Sequence, residues 1–134
     1  MLALLVYVLH SWRKDRKRRR DVVEALTALS FAPLSWEGQI PFGWDRRGAF
    51  KDGYQGIYNG CRAIVVESEF CEGDSTYRQM FVAVERPNET PWQVPHFFTS
   101  VGLEYTQEGR WIIGTISKQT LGPEGIVGYL QCFS

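Results

Sequence analysis

Hydrophobic and polar residues are most sharply separated at the amino terminus of the chain. Residues 2–9 are almost wholly apolar, and residues 13–20 hold seven Lys and Arg with Asp15 as their one acid. From Asp21, apolar residues recur on one side of a helix, at Val22, Val23, Ala25, Leu26 and Leu29. We expect an apolar, then basic, amino-terminal helix. It is followed by a helix over 21–30 that Asp21 caps and Pro33 ends, or the two form one long helix.

The central third of the chain predicts three strands joined by tight turns. Residues 54–58 form the first, and Asn59-Gly60 is a favoured two-residue hairpin turn because both residues tolerate positive φ. The second strand covers 62–71 and the third 76–85, with 72–75 as the loop between them.

Symmetric closure of that loop fixes a register for the second and third strands. Glu69 then faces Arg78 and Arg62 faces Glu85, which gives two opposite-charge pairs. One face carries Ile64, Val66, Phe70, Phe81 and Ala83, and the other Ala63, Val65, Met80, Val82 and Val84. Because both faces are apolar, we expect helices or the aromatic connector of residues 33–52 to cover the sheet on both sides.

The carboxyl-terminal part predicts further strands and a closing helix. Residues 96–100 and 103–106 have an extended pattern, and 110–117 alternate as a strand. A helix starting at Pro123 would bury Ile126, Val127, Leu130 and Phe133. The sequence thus predicts an α+β fold: an amino-terminal helix, an antiparallel sheet of about five strands and a carboxyl-terminal helix. We divide it into a membrane-proximal helix (1–20) and a single domain (21–134).

Composition and charge narrow the classes of function. The 134 residues are 44% hydrophobic with a formal net charge of zero, enough apolar material for a core. Without residues 13–20, eight basic and fourteen acidic residues are left, so the body is acidic and should repel nucleic acid. Three cysteines, Cys61, Cys71 and Cys132, are odd in number and lack paired spacing, which predicts free thiols.

The sequence offers few groups for chemistry. Glu67 and Glu69 share a strand face and could act as paired carboxylates, but a solvated strand end paired with Arg78 is the simpler interpretation. His96 lacks an assignable nucleophile. We therefore expect no catalytic residue, no metal and no cofactor. Trp36, Trp44 and Trp92 are aromatic enough to form a lid over a ligand, although such residues most often serve packing.

The amino-terminal segment indicates a membrane interface. About eleven apolar residues precede the charges, whereas a membrane-spanning helix needs about twenty. Apolar residues, then a tryptophan, then cations are typical of the cytoplasmic end of an anchor, which nominates Trp12, Arg13, Lys14, Arg16 and Lys17. We expect either that the anchor extends upstream of Met1 or that another membrane subunit completes the burial of this short segment. A buried first helix of a soluble domain and a nucleic-acid-binding tract are the alternatives.

Several short motifs resemble a family of small bacterial proteins that has no established activity. They are the RKDRKRRR run, residues 22–31, Pro41-Phe42-Gly43, residues 53–56 and residues 75–79 before FVAVE. The resemblance implies an amino-terminal membrane anchor and a β-rich cytoplasmic domain. The family's hairpin loop is longer and richer in Gly and Lys than Glu72-Gly73-Asp74.

Together these patterns predict a non-catalytic interaction or accessory module at the cytoplasmic face of a membrane. Its partners would be membrane lipid and other membrane-protein subunits, with no nucleic acid; the oligomeric state is open. The alternative is a domain that binds a small molecule or lipid headgroup under the aromatic lid. A hydrolase using Glu67 and Glu69 ranks third.

Overall fold

A computed structural model describes residues 2–34, 37–43, 48–93, 104–117 and 121–134. The helices are α1 (Leu2–Ala28) and α2 (Pro123–Phe133), and a short 3₁₀ turn covers Glu37–Gln39. The strands are β1 (Ala32–Pro33), β2 (Gly48–Tyr58), β3 (Cys61–Glu72), β4 (Ser75–Glu85), β5 (Glu104–Glu108) and β6 (Trp111–Ser117). They form an antiparallel sheet in the order β1-β2-β3-β4-β6-β5. The predicted α+β class is confirmed, with the two-residue β1 as a sixth strand.

The hairpin of β3 and β4 has the predicted register. Glu69 lies opposite Arg78, and Val66 lies opposite Phe81. Before it, Asn59 and Gly60 both have positive φ, 49° and 77°, as the two-residue turn between β2 and β3 requires. The loop after β3 is tighter than expected, because Glu72 and Ser75 already pair with each other.

Both faces of the sheet are covered, as predicted, and each has its own cover. The helix face packs against α1 and α2 and comprises Ala63, Val65, Met80, Val82, Val84, Ile112 and Ile116. The connector face packs against Leu34, Ile40 and Phe42 and comprises Ile64, Val66, Phe81, Ala83, Trp111 and Ile113. Alternating side chains point to opposite faces of a strand, so one run of apolar residues in β3 serves both cores.

The first helix is continuous, which confirms the second of the two expectations for this region. Asp21 lies inside α1 and does not cap a new helix. The helix ends in a Schellman motif around Ser30, whose φ is 65°. In that motif the Phe31 N–H donates to the Leu26 carbonyl (2.9 Å) and the Ser30 N–H donates to that of Thr27 (2.9 Å). Pro33 follows in β1 opposite Tyr54.

The closing helix α2 begins with Pro123 in its first turn, as predicted, and buries Ile126, Leu130 and Phe133. The ring of Phe133 lies against Gly114 of β6, where an added Cβ would come within 2.9 Å of the ring carbons. A strand residue with a side chain would therefore displace the helix from the sheet. The strand expected at 96–100, together with Trp36 and Trp44, lies outside the described residues.

Candidate functional site

The two halves of α1 have opposite surroundings. In the second half, Val22 and Leu26 are 7% and 1% exposed and belong to the core on the helix face. The first half begins with residues 2–9, which we call the apolar segment. Its large apolar side chains are between 46% (Leu9) and 77% (Leu2) exposed. The helix therefore leaves the domain and carries unburied apolar residues with it.

Apolar side chains surround the helix axis in this segment. Consecutive residues of an α-helix differ by about 100° in direction, so six in a row cover the full circumference. Six consecutive side chains here are large, apolar and exposed: Leu4, Leu5, Val6, Tyr7, Val8 and Leu9. A helix that is apolar all round requires apolar surroundings on every side.

A cluster of charged side chains joins α1 to the sheet where the helix reaches the domain. We call Asp15, Arg18, Glu67 and Arg78 the ionic cluster. Arg18 Nη2 lies 3.2 Å from Glu67 Oε1, and Arg78 Nη1 lies 3.1 Å from the same oxygen. Arg78 Nη1 also lies 3.0 Å from Asp15 Oδ2, so one guanidinium bridges the helix and the strand. Arg18 Nη1 donates to the Leu121 carbonyl (3.0 Å), which ties the segment before α2 to the same point.

Two predicted charge pairs are replaced by other contacts. Although Glu69 faces Arg78 in the register, Arg78 bonds to Glu67 and Asp15, while Glu69 lies 4.0 Å from Lys51. Glu67 lies diagonally across from Arg78 on the sheet, which is close enough for long side chains to meet. Helix α1 adds a second carboxylate, that of Asp15, at the same place.

At the other end of the hairpin, the expected Arg62–Glu85 pair is also replaced. The Arg62 guanidinium lies over the Trp111 ring, 5.6 Å from its centroid. Glu85 instead pairs with Arg110 at 3.3 Å. Trp111 is the first residue of β6, and Arg110 lies in the turn just before it; no local pattern in the hairpin specifies that β6 lies beside β4.

Glu67 is not the solvated strand end that the sequence suggested. The residue is 8% exposed, and burial raises the pKa of its carboxyl above the ordinary value of 4.5, although Arg18 and Arg19 oppose that effect. Asp52, its partner in β2, raises the pKa further. Because Glu67 is held by arginines and Glu69 is near Lys51, the two carboxylates do not converge on one point. Among the described residues, no group of three His, Cys, Asp or Glu could hold a metal ion.

Four other cations of the basic run face away from the domain. Arg13, Arg16, Lys17 and Arg20, which we call the basic face, are all exposed and line a groove together with Trp12. Their spacing of three, four and seven residues puts them on one side of α1. The Arg16 guanidinium lies 5.2 Å from the Trp12 ring centroid. A second, apolar groove begins immediately upstream and is lined by Leu2, Leu4, Leu5 and Val8.

The other predicted site residues have different places. Lys14 is exposed beside the basic face. Trp92 is half-buried in the core on the helix face, with its ring edge-on to Tyr105 (4.9 Å between centroids) and Phe133 (5.0 Å). This tryptophan therefore packs under α2, and the lid it was expected to form with Trp36 and Trp44 stays a prediction.

The thiols are free, as predicted. Cys71 is exposed, whereas Cys61 and Cys132 are half-buried. Burial raises the pKa of the Cys132 thiol, which disfavours the nucleophilic thiolate.

Sequence reasoning missed the ionic cluster, although two signals pointed to it. Asp15 is the one acid inside the basic run, and Asp15, Arg18, Val22 and Leu26 continue a single stripe at helical spacing. Glu67 directly follows the apolar run of residues 63–66 in β3. When one side of a helix changes from apolar to charged, and a strand changes in the same way, the two patterns indicate that the helix packs on that strand.

No family model, no curated protein and no solved structure matches the chain. Within the described part of α1 and α2, neither helix has the length and hydrophobicity needed to cross a bilayer.

Proposed function

We propose that this protein is a non-catalytic accessory module held at the cytoplasmic face of a membrane by the amino-terminal half of α1. The observation that carries the proposal is the apolar segment, which is exposed on all sides while the same helix is buried in the core at Val22, thirteen residues after Leu9. Hydrocarbon tails supply apolar surroundings in every direction, which a groove on a single protein does not.

The order of residues along the helix supports a lipid environment. Trp12 follows the apolar segment, and tryptophan is enriched at the boundary between hydrocarbon and headgroups. Cations come next, as they do on the cytoplasmic side of membrane proteins. At a rise of 1.5 Å per residue, residues 2–12 extend about 16 Å, roughly the thickness of one leaflet of the hydrocarbon core.

The charged groups of the domain favour a role in protein–protein contacts over a catalytic role. Among the described residues, the most buried carboxylate is that of Glu67, and Arg18 and Arg78 already hold it. The ionic cluster instead fixes the direction in which α1 leaves the sheet. A folded body with a rigidly held anchor is the arrangement expected of a subunit that presents its surface to neighbours at a membrane.

Flotation with lipid vesicles tests the proposal on the full chain. We expect the protein to float with vesicles, and the double variant Leu5→Asp, Val8→Asp to stay at the bottom of the gradient, because each carboxylate opposes insertion by roughly 2–3 kcal/mol. Ile57→Asp is the matched control, since Ile57 is also an exposed apolar residue (63%) but lies in β2. Failure of the unaltered chain to float with any vesicle composition contradicts the proposal.

The subunit part of the proposal needs a separate measurement. Purification of the native protein from its membrane in mild detergent should recover other membrane proteins in fixed ratio. Recovery of the chain alone contradicts the subunit role but leaves membrane attachment untouched.

A further inference from the structure

The geometry points to a second, more specific property: the basic face of α1 selects membranes with anionic phospholipid headgroups. This inference rests on the proposed function, because it requires the apolar segment to bring α1 to a bilayer. It adds the chemical class of lipid and names the four side chains that recognise it, Arg13, Arg16, Lys17 and Arg20.

The cations of the basic run lie on two different sides of α1. Arg18 and Arg19 point towards the domain, where each lies within ion-pair distance of Asp15 (3.4 and 3.2 Å). The basic face lies on the opposite side of the helix, and within the described parts of the chain none of its four residues pairs with a carboxylate. Four exposed cations on one face that have no carboxylate partner in the described part of the chain are available to an external anion.

The cations of the basic face lie at the depth of the lipid headgroups when the apolar segment is in the hydrocarbon. If Trp12 lies at the edge of the hydrocarbon, Arg13 to Lys17 lie within about 8 Å of that edge, the depth of the headgroup layer. Arg20 lies about 12 Å from that edge, about 4 Å outside the headgroup layer and therefore within one Debye length, which is about 8 Å at physiological salt. All four are therefore placed where phosphate groups or their field are strongest.

The rest of the protein has no such attraction to anionic lipid. From Asp21 onward the chain has fourteen acidic and eight basic residues, so an anionic surface repels the body. Attraction through the basic face and repulsion of the body orient the protein with its domain away from the lipid. A nucleic acid has the same phosphate chemistry but offers nothing to the apolar segment beside the basic face, which favours the lipid surface.

Vesicle binding at two lipid compositions tests the inference. The full chain is titrated with phosphatidylcholine vesicles and with vesicles that also contain phosphatidylglycerol. We expect tighter binding to the anionic vesicles, by about fivefold for each cation of the basic face, and a decline with added salt. The variant Arg13→Gln, Arg16→Gln, Lys17→Gln, Arg20→Gln should lose this preference for anionic vesicles.

The matched control removes four cations from the body: Lys51→Gln, Arg62→Gln, Arg86→Gln and Arg110→Gln. Because it changes the net charge equally, it should keep the preference for anionic vesicles, and far-ultraviolet circular dichroism confirms that both variants are folded. Loss of the preference in this control overturns the inference, since net charge would then account for the selectivity.

The remaining outcomes separate this inference from the proposed function. Equal binding of the unaltered chain to both vesicle types overturns the lipid selectivity and leaves membrane attachment standing, whereas binding to neither contradicts the proposed function itself. Release from anionic vesicles by inorganic phosphate, beyond the release that sodium chloride causes at the same ionic strength, would show a compact phosphate site instead of a membrane surface. Release by an RNA oligonucleotide at equal phosphate concentration would show a nucleic-acid site, and either release overturns the inference.

Discussion

The two halves of α1 are one continuous helix with two different physical roles. In the half beyond Asp15, charged and apolar side chains alternate at helical spacing, and the inward-facing ones are used by the domain through Val22, Leu26 and Arg18. In the half before it, the large apolar side chains point in all directions and none is buried. The difference teaches that hydrophobic content alone does not make a helix part of a core. A matching partner surface on one side is also needed.

The same substitution in each half should have very different effects on stability. Leu26→Ala removes a side chain that is 1% exposed between α1 and the sheet, and should lower the free energy of unfolding by about 3 kcal/mol. Leu5→Ala removes a side chain that is 56% exposed and should leave stability unchanged while weakening vesicle binding. Chemical denaturation measures both. A large loss of stability in Leu5→Ala would show that the apolar segment packs against the domain.

Two carboxylates on one face of β3 provide the second contrast. Glu67→Ala leaves the partly buried Arg18 and Arg78 without their shared partner, so we expect a loss of about 2 kcal/mol. Glu69→Ala should cost under about 0.5 kcal/mol, because its side chain is one-third exposed and lies 4.0 Å from Lys51. Denaturant midpoints measure the two variants. Equal losses would mean that the ionic cluster does not hold α1 on the sheet.

The pH dependence of the same contact has a definite sign. Burial raises the pKa of Glu67 in the folded protein above the ordinary value of 4.5, so the native state binds more protons than the unfolded state between the two values. The contribution of Glu67 to stability is therefore greatest near and below pH 4.5 and falls as the pH rises through the folded pKa.

Glu67→Gln lacks this titration and serves as the reference. The stability of the unaltered protein minus that of Glu67→Gln should decrease as the pH rises from about 4.5 towards neutrality. Unfolding titrations at several pH values measure the difference. An increase over this range would mean that Arg18, Arg19 and Arg78 outweigh the cost of burying the carboxylate, and that the pKa is lowered.

The smallest expected effect lies at the end of α1. Ser30 has a φ of 65°, a conformation that glycine adopts without strain, so Ser30→Gly should stabilise the protein by about 0.5 kcal/mol. Thr27→Gly is the control, because Thr27 lies inside the helix and glycine there should destabilise it by about 0.3 kcal/mol relative to threonine. Thermal unfolding measures both, and destabilisation by Ser30→Gly would contradict the Schellman arrangement.

Much of the sheet could be predicted because its determinants are close together in the sequence. The register of β3 and β4 follows from a short loop, and the turn before β3 follows from Asn59 and Gly60. The helix after Pro123 follows from its own start signal and apolar spacing. In each case the residues that decide the structure are neighbours, so local patterns suffice.

The candidate site was only partly predictable. Trp12, Arg13, Lys14, Arg16 and Lys17 were nominated from their order along the chain, and all five are exposed. Arg20 was missed as a member of the same face. Arg18 belongs to the same run, but the structure turns it towards Glu67, 49 positions away. Spacing within a helix defines its sides, but it does not say which side the domain covers.

By itself, the sequence determined the β3–β4 hairpin with its register, the helix that begins at Pro123 and the presence of apolar residues on both sheet faces. Only the tertiary structure decided which cover each face receives, which carboxylate holds Arg78 and where α1 stops being part of the domain. The physical reason is that strand pairing and helix ends depend on residues a few positions apart. Three contacts join α1 to the rest of the domain, namely Asp15–Arg78, Arg18–Glu67 and Arg18–Leu121. They link residues about fifty to one hundred positions apart, and they depend on how the whole core packs.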